Sequence, residues 1–203
     1  MRLSKTSYYA DFVIYAALLI AAAIIAVWHD TGRQLLLWIL AVVFGAMLWT
    51  LAEYGLHRFV LHQIAPFAQM HKAHHRMPLA LIGTPTLLSL SFIFGAIFLP
   101  AWLVGSINLA SGLTVGSMAG FFWYGLVHHA IHHRRPRILA RRLHLTTRRH
   151  AQHHFSGERG NFGVSTSFWD CVFGTTLNST RRFAPSVRQL RGSVERSNPG
   201  AAR

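Results

Sequence analysis

Three long uncharged stretches limit what this chain can fold into. Asp11 to Trp28 carries no charge after its first residue, Leu35 to Ala52 carries none, and Leu79 to Val127 carries none although Pro85, Pro100, Gly105 and Gly112 interrupt it. About 20 apolar residues cross a bilayer as a helix, so the first two runs read as one span each and the third as two. The expected fold is all-α and integral to the membrane, with four transmembrane helices. The first run lacks a small-residue cleavage site and is not read as a removable leader. The second helix is expected from about Leu35 to His62. A short helix should carry His71 to His75 and stop at Pro78. Spans three and four are expected at about Leu81 to Phe98 and Leu113 to Val127, joined by VGSINLASG. Gly32 is expected as a helix C-cap, and Gly116 with Gly120 as a small-residue packing face.

Four spans place both termini, the 53–78 loop and everything after Val127 on one side. All but Arg33 of the 20 Lys and Arg residues then share that side. The positive-inside rule makes it the cytoplasm, for the termini and for the histidine-rich cap alike. The net charge of +14 therefore reads as membrane topology, and no nucleic-acid partner is expected. Arg134, Arg135, Arg137, Arg141, Arg142, Arg148 and Arg149 suit anionic headgroups or an acidic electron donor. The lone cysteine, Cys171, excludes a disulfide framework and is expected to be buried beside Trp169 and Phe173.

The chemistry lies in the histidines. Setting aside His29, alone at an interface, and His144, the other twelve fall into four groups. His57 and His62 are five apart. His71, His74 and His75 form HxxHH, as do His150, His153 and His154. HHAIHH offers either His128 with His132 or His129 with His133. At about 100° per residue, positions i, i+3 and i+4 of a helix share one narrow arc, so each HxxHH aims three imidazoles one way. Positions five apart diverge by about 140°, so His57 and His62 share a site only if the helix bends or ends between them, and otherwise serve different metals. A two-span hairpin between residues 79 and 127 returns the later clusters to the side of the earlier ones. Imidazole suits iron, zinc and copper, and ten histidines exceed the four ligands of a zinc site, so two metals are expected. A carboxylate-rich di-iron bundle is excluded by supply, because the acids are only Asp11, Asp30, Glu53, Glu158, Asp170 and Glu195. Glu53 and Asp170 lie near the clusters and are candidates to orient an imidazole N–H; their plainer roles are an arginine partner and a turn cap.

HRFVLH, HKAHH, YGLVHHAIHH and HAQHHF followed by FGVSTSFWDCVFGT resemble the integral-membrane fatty acid hydroxylase/sterol desaturase superfamily, and most of all its fatty acid 2-hydroxylases. The resemblance covers about Phe44 to Thr176. It divides the chain into an N-terminal flank with the first hairpin (1–43), a hydroxylase-like di-iron domain (44–176) and a basic disordered tail (177–203). It implies an O2-dependent monooxygenase with two iron ions, which zinc can replace in a purified sample. It places the metal ligands at His57, His62, His71, His74, His75, His128, His132, His150, His153 and His154. Tyr124 matches the tyrosine that precedes the third pair in that superfamily, which favours His128 and His132; His129 and His133 are the alternative register. No catalytic residue beyond the ligands is implied. The implied partners are a membrane lipid, most naturally its acyl chain, and a separate electron donor, a b-type cytochrome or a ferredoxin-like protein. Gly83 to Ser91 and Trp123 are candidates for the lipid channel. A carotenoid hydroxylase or a sterol/lipid desaturase would use the same site. A metal-ion transporter would place ligands within the spans, where this chain has none.

Overall fold

The computed structural model describes residues 3–29, 32–133, 141–155 and 159–177. Among these, every regular element is a helix: α1 (Lys5–His29), α2 (Arg33–Gly55, extended by a π-helical turn, Leu56–Leu61), α3 (Phe67–Arg76), α4 (Thr86–Ile93, running on through a π turn at Phe94–Phe98 and a final Leu99–Val104), α5 (Ile107–His132), α6 (His144–Phe155) and α7 (Phe168–Val172). The basic tail beyond Leu177 and Arg134, Arg135 and Arg137 lie outside the described residues, as do Asp30 and Glu158.

Among the described residues three helices are long and apolar enough to cross a membrane: Lys5–His29, Arg33–Leu61 and Thr86–Val104. Their outer faces leave Val13, Ile24, Val27, Leu36, Val43, Leu87 and Leu103 exposed, an apolar surface that water would not tolerate and lipid tails would cover. α5 is as long, at 26 residues, but Gly112, Gly116, Gly120 and Gly125 dilute its hydropathy. The first three of those glycines are spent on contact with α2, whereas Gly125 faces Phe12 of α1. A Cβ on Gly116 would lie 2.0 Å from the Val42 carbonyl oxygen, and one on Gly45 would lie 2.2 Å from that of Leu113. The two backbones therefore touch, and Ser117 Oγ donates to the Gly45 carbonyl at 3.2 Å. Around this seam Tyr15, Trp49, Ile93 and Met118 form the buried core.

Several boundaries differ from expectation. α4 starts at Thr86, because Pro85 holds the chain extended (φ −58°, ψ 138°) just before it. Pro100 does not break the helix. It falls in the first turn of the last α4 segment, directly after the π turn, where its missing N–H costs little. The α4–α5 connection shrinks to Gly105 and Ser106, because Ser106 Oγ accepts from Leu109 N (3.2 Å) and caps α5 early. Gly32 has φ +53° in the turn that leads into α2. Cys171 is exposed and not buried, because α7 turns it away from the contact between Trp169 and Phe173.

Candidate metal centre

The histidines meet at the end of the bundle where α2, α3, α5 and α6 converge. His57 lies in the π turn that extends α2, and His62 is the residue that caps its C-terminal end. Its i→i+5 winding puts residues five apart on one face, and the two rings stack with centroids 5.1 Å apart. Their awkward spacing is thus resolved by the π winding together with the end of the helix at Leu61.

Two groups of nitrogens result. His57, His62, His71, His75 and His153 present ring nitrogens that all lie within 4.8 Å of one another, and so do His74, His128, His132 and His150. In the first group His71 Nε2 lies 3.0 Å from His57 Nε2 and 2.9 Å from His75 Nε2, while His62 and His153 approach at 3.1 Å. In the second, His74 lies 3.1 Å from His128, and His132 lies 2.9 Å from His150. His154 joins them. Its Nε2 is 3.0 Å from His150 Nε2 and its ring stacks on His75 at 4.2 Å. His129 and His133 stack on each other on the far side of α5, where His129 Nδ1 meets Tyr8 Oη at 3.1 Å. His29 and His144 are exposed and apart from both groups.

A loop fixes how the imidazoles face. His57 Nδ1 bonds the Phe162 carbonyl, and His153 Nδ1 bonds the Gly160 carbonyl at 2.9 Å. A carbonyl only accepts, so both Nδ1 atoms carry the proton and both Nε2 lone pairs face the groups. Burial acts in the same direction. It holds His74 down at about 4, helped by His153 and His133, and His132 down at about 2, helped by His74. His71, His150 and His154 are likewise lowered, first by burial and then by neighbouring imidazoles. Neutral imidazole is the form that binds metal. The spacing fits as well: nitrogens 2.9–3.1 Å apart that share an ion at about 2.1 Å subtend roughly 90°.

Glu53 and Asp170 work one step further out than the sequence suggested. The bonds of Glu53 run to Val164 N (2.6 Å), Ser165 N (2.9 Å) and the Ser165 hydroxyl. Asp170 takes Phe162 N (2.9 Å), Gly163 N (2.8 Å) and the Thr175 hydroxyl (2.7 Å). Both carboxylates hold the loop whose carbonyls orient His57 and His153. Asn161 completes this support. At φ 55°, its amide donates to the Arg149 carbonyl and to Gln152 Oε1, and its Oδ1 accepts from Leu177 N. Sequence reasoning passed over Asn161; its one local signal is the turn-forming run Gly-Asn-Phe-Gly. Tyr124 stacks on His128 at 5.5 Å.

A cavity of about 120 Å³ ends against His71, His74 and His128. Its walls include Phe12, Phe121, Phe122 and Tyr124, with Gly83 and Thr84 from the expected channel segment. Trp123 is half exposed, and its neighbours on α5 line the cavity in its place.

The sequence matches the family model described as fatty acid hydroxylase over residues 42–175. A dihydroceramide fatty acyl 2-hydroxylase of Arabidopsis thaliana is 35% identical over 147 residues, covering 66% of this chain and 59% of the plant protein. A fatty acid 2-hydroxylase of Rattus norvegicus is 31% identical over 147 residues, covering 66% of this chain and 39% of the rat protein. The solved structure of full-length scs7p, with only its hydroxylase domain visible, superposes with a TM-score of 0.72 at 25% identity over 87% of this chain and 69% of that one. The chain thus spans less than two thirds of the length of either curated relative.

Proposed function

This chain belongs to the fatty acid hydroxylase family, and we propose that it hydroxylates a C–H bond in the acyl chain of a membrane lipid, using O2. The observation that carries this reading is the junction of two groups of imidazole nitrogens with a cavity of largely apolar wall. His57, His62, His71, His75 and His153 would hold one metal ion, His74, His128, His132 and His150 a second, with His154 between them. Two bound iron ions would supply the activation of O2 that an unactivated C–H bond requires. The protein's own part is binding and orientation. The Gly160 and Phe162 carbonyls keep His57 and His153 in the ligating tautomer, and the apolar cavity excludes water from the carbon under attack.

Converting R–H and O2 to R–OH and water consumes two electrons and two protons. The electrons come from a separate donor protein, a b-type cytochrome or a ferredoxin-like protein. α5 supplies the fourth crossing, and the histidines and both termini face the cytoplasm. The chain divides at about residues 43 and 176.

Protein reconstituted anaerobically with ferrous iron should hold two metals per chain by elemental analysis. With a reductant it should add one oxygen atom, from labelled O2, to an acyl lipid. A folded sample holding fewer than two metals, or label that never enters lipid, would overturn the reading.

A further inference from the structure

Asp170 does not stand alone behind the loop that orients His57. A continuous series of hydrogen bonds ties it to the π turn that extends α2. Arg58 Nη1 donates to Tyr54 Oη at 2.7 Å, Tyr54 Oη meets Thr175 Oγ1 at 3.1 Å, and Thr175 Oγ1 meets Asp170 Oδ1 at 2.7 Å. The same Oδ1 accepts from Phe162 N at 2.9 Å, and the Phe162 carbonyl accepts from His57 Nδ1. Chemistry sets the direction of each link, because a guanidinium only donates and a carboxylate only accepts. Thr175 therefore gives its one proton to Asp170, Tyr54 gives its own to Thr175, and Tyr54 Oη accepts from Arg58. A cation heads the series, an anion ends it, and bonds so aligned polarise one another. Tyr54 is only 2% exposed, so its hydroxyl has no solvent to turn to. Its ring is fixed separately, stacked on Phe173 at 5.2 Å. The Arg58 guanidinium also lies 5.9 Å from the Phe162 ring, so one cation braces Phe162 through its ring and through its backbone.

We infer that Tyr54 and Arg58 are positioning residues for one of the two metal ions: through Thr175 they hold Asp170 Oδ1, and so keep the Phe162 carbonyl on His57 Nδ1. The inference rests on the two-metal reading above and deepens it. Selectivity for one ion follows from which imidazoles the loop reaches. His57 and His153, tied to the Phe162 and Gly160 carbonyls, both belong to the first group. In the second group His150 Nδ1 is buried with no hydrogen-bond partner among the described residues, so the loop gives it no such hold.

The test is chelator competition on the full chain loaded anaerobically with ferrous iron in detergent, with His57→Ala marking the release step that belongs to the first group. Tyr54→Phe keeps the ring and removes only the hydroxyl. It should weaken the first-group step about tenfold and leave the other step unchanged. Arg58→Met removes the donor, keeps an unbranched apolar stem and should act alike. Because the two residues act in series, the double variant should be no worse than the poorer single one. Equal weakening of both steps, weakening of neither, or losses that add in the double variant would overturn the inference. Amide exchange in the metal-free chain is the second arm. Phe162 and Gly163 should exchange about tenfold faster in Tyr54→Phe, and unchanged exchange would overturn the inference even where loading fails. Wild type that holds fewer than two irons while these amides respond counts against the two-metal reading. Two tightly held irons with amides indifferent to Tyr54 count against this inference alone.

Discussion

Ten imidazoles crowd one end of the bundle, and what distinguishes them from a patch of polar residues is orientation. A lone-pair direction is set by the atom opposite it in the ring, and for His57 and His153 that atom is tied to a backbone carbonyl. The HxxHH triplets were legible because a helix fixes i, i+3 and i+4 in space. The carbonyl partners were not, because His57 and Phe162 are 105 positions apart and no local pattern links them. HHAIHH was ambiguous from spacing alone, and packing separates its two registers. His128 stands against His74, and His129 against Tyr8. His128→Ala should therefore lower the metal count toward one per chain and abolish turnover. His129→Ala loses a partly buried hydrogen bond worth about 1 kcal/mol and should keep both metals and most activity. Elemental analysis beside a turnover assay separates the two, and equal metal loss would place both registers in the site.

The helices and loops show which local rules a bundle obeys and which it overrides. The apolar runs announced α1, α2 and α4 directly. The winding that turns His57 and His62 to one side was hidden, because LHRFVL has nothing in its composition that distinguishes a π turn from an α turn. The glycine spacing on α5 announced a close approach, although not to which helix. Gly116 abuts the Val42 carbonyl, so Gly116→Ala overpacks a backbone seam and should cost about 1–3 kcal/mol. Gly95→Ala, with nothing within 4 Å of the new Cβ, should be neutral or stabilising by up to about 1 kcal/mol. Unfolding in mixed micelles compares them; similar midpoints would remove the seam from the account. The loop after α6 is equally specific. Asp170 accepts two backbone N–H groups there, and Asp170→Asn turns one acceptor into a donor facing a donor. The carbonyls behind His57 and His153 would then shift, and metal affinity should fall about 10–100-fold in chelator competition with the helices intact.

Taken whole, the chain has to reconcile three clearly apolar helices with one shared cluster. α3 and α5 touch through His74 and His128 at 3.1 Å, and only α4 and the body of α5 lie between them in sequence. If α4 crosses the membrane, α5 has to bring the chain back, and at about 1.5 Å per residue its 26 residues are long enough. Its weak hydropathy follows from its position: a helix packed along α2 needs small residues on that face more than it needs oily ones. On the proposed topology composition therefore understates α5, since a crossing by α4 makes the shared cluster depend on its return. The proposed topology can be tested with the native cysteine, which is exposed on α7. In intact cells an impermeant maleimide should leave Cys171 unlabelled. In a Cys171→Ser background it should also leave Lys72→Cys unlabelled, and it should label Gln34→Cys in the first turn of α2. Opening the membrane should expose the first two. If Cys171 and Lys72→Cys label from opposite sides, α5 does not return and the two histidine groups do not face one compartment. If both label with Gln34→Cys in intact cells, α2 does not cross between them, and the four-span arrangement falls with it.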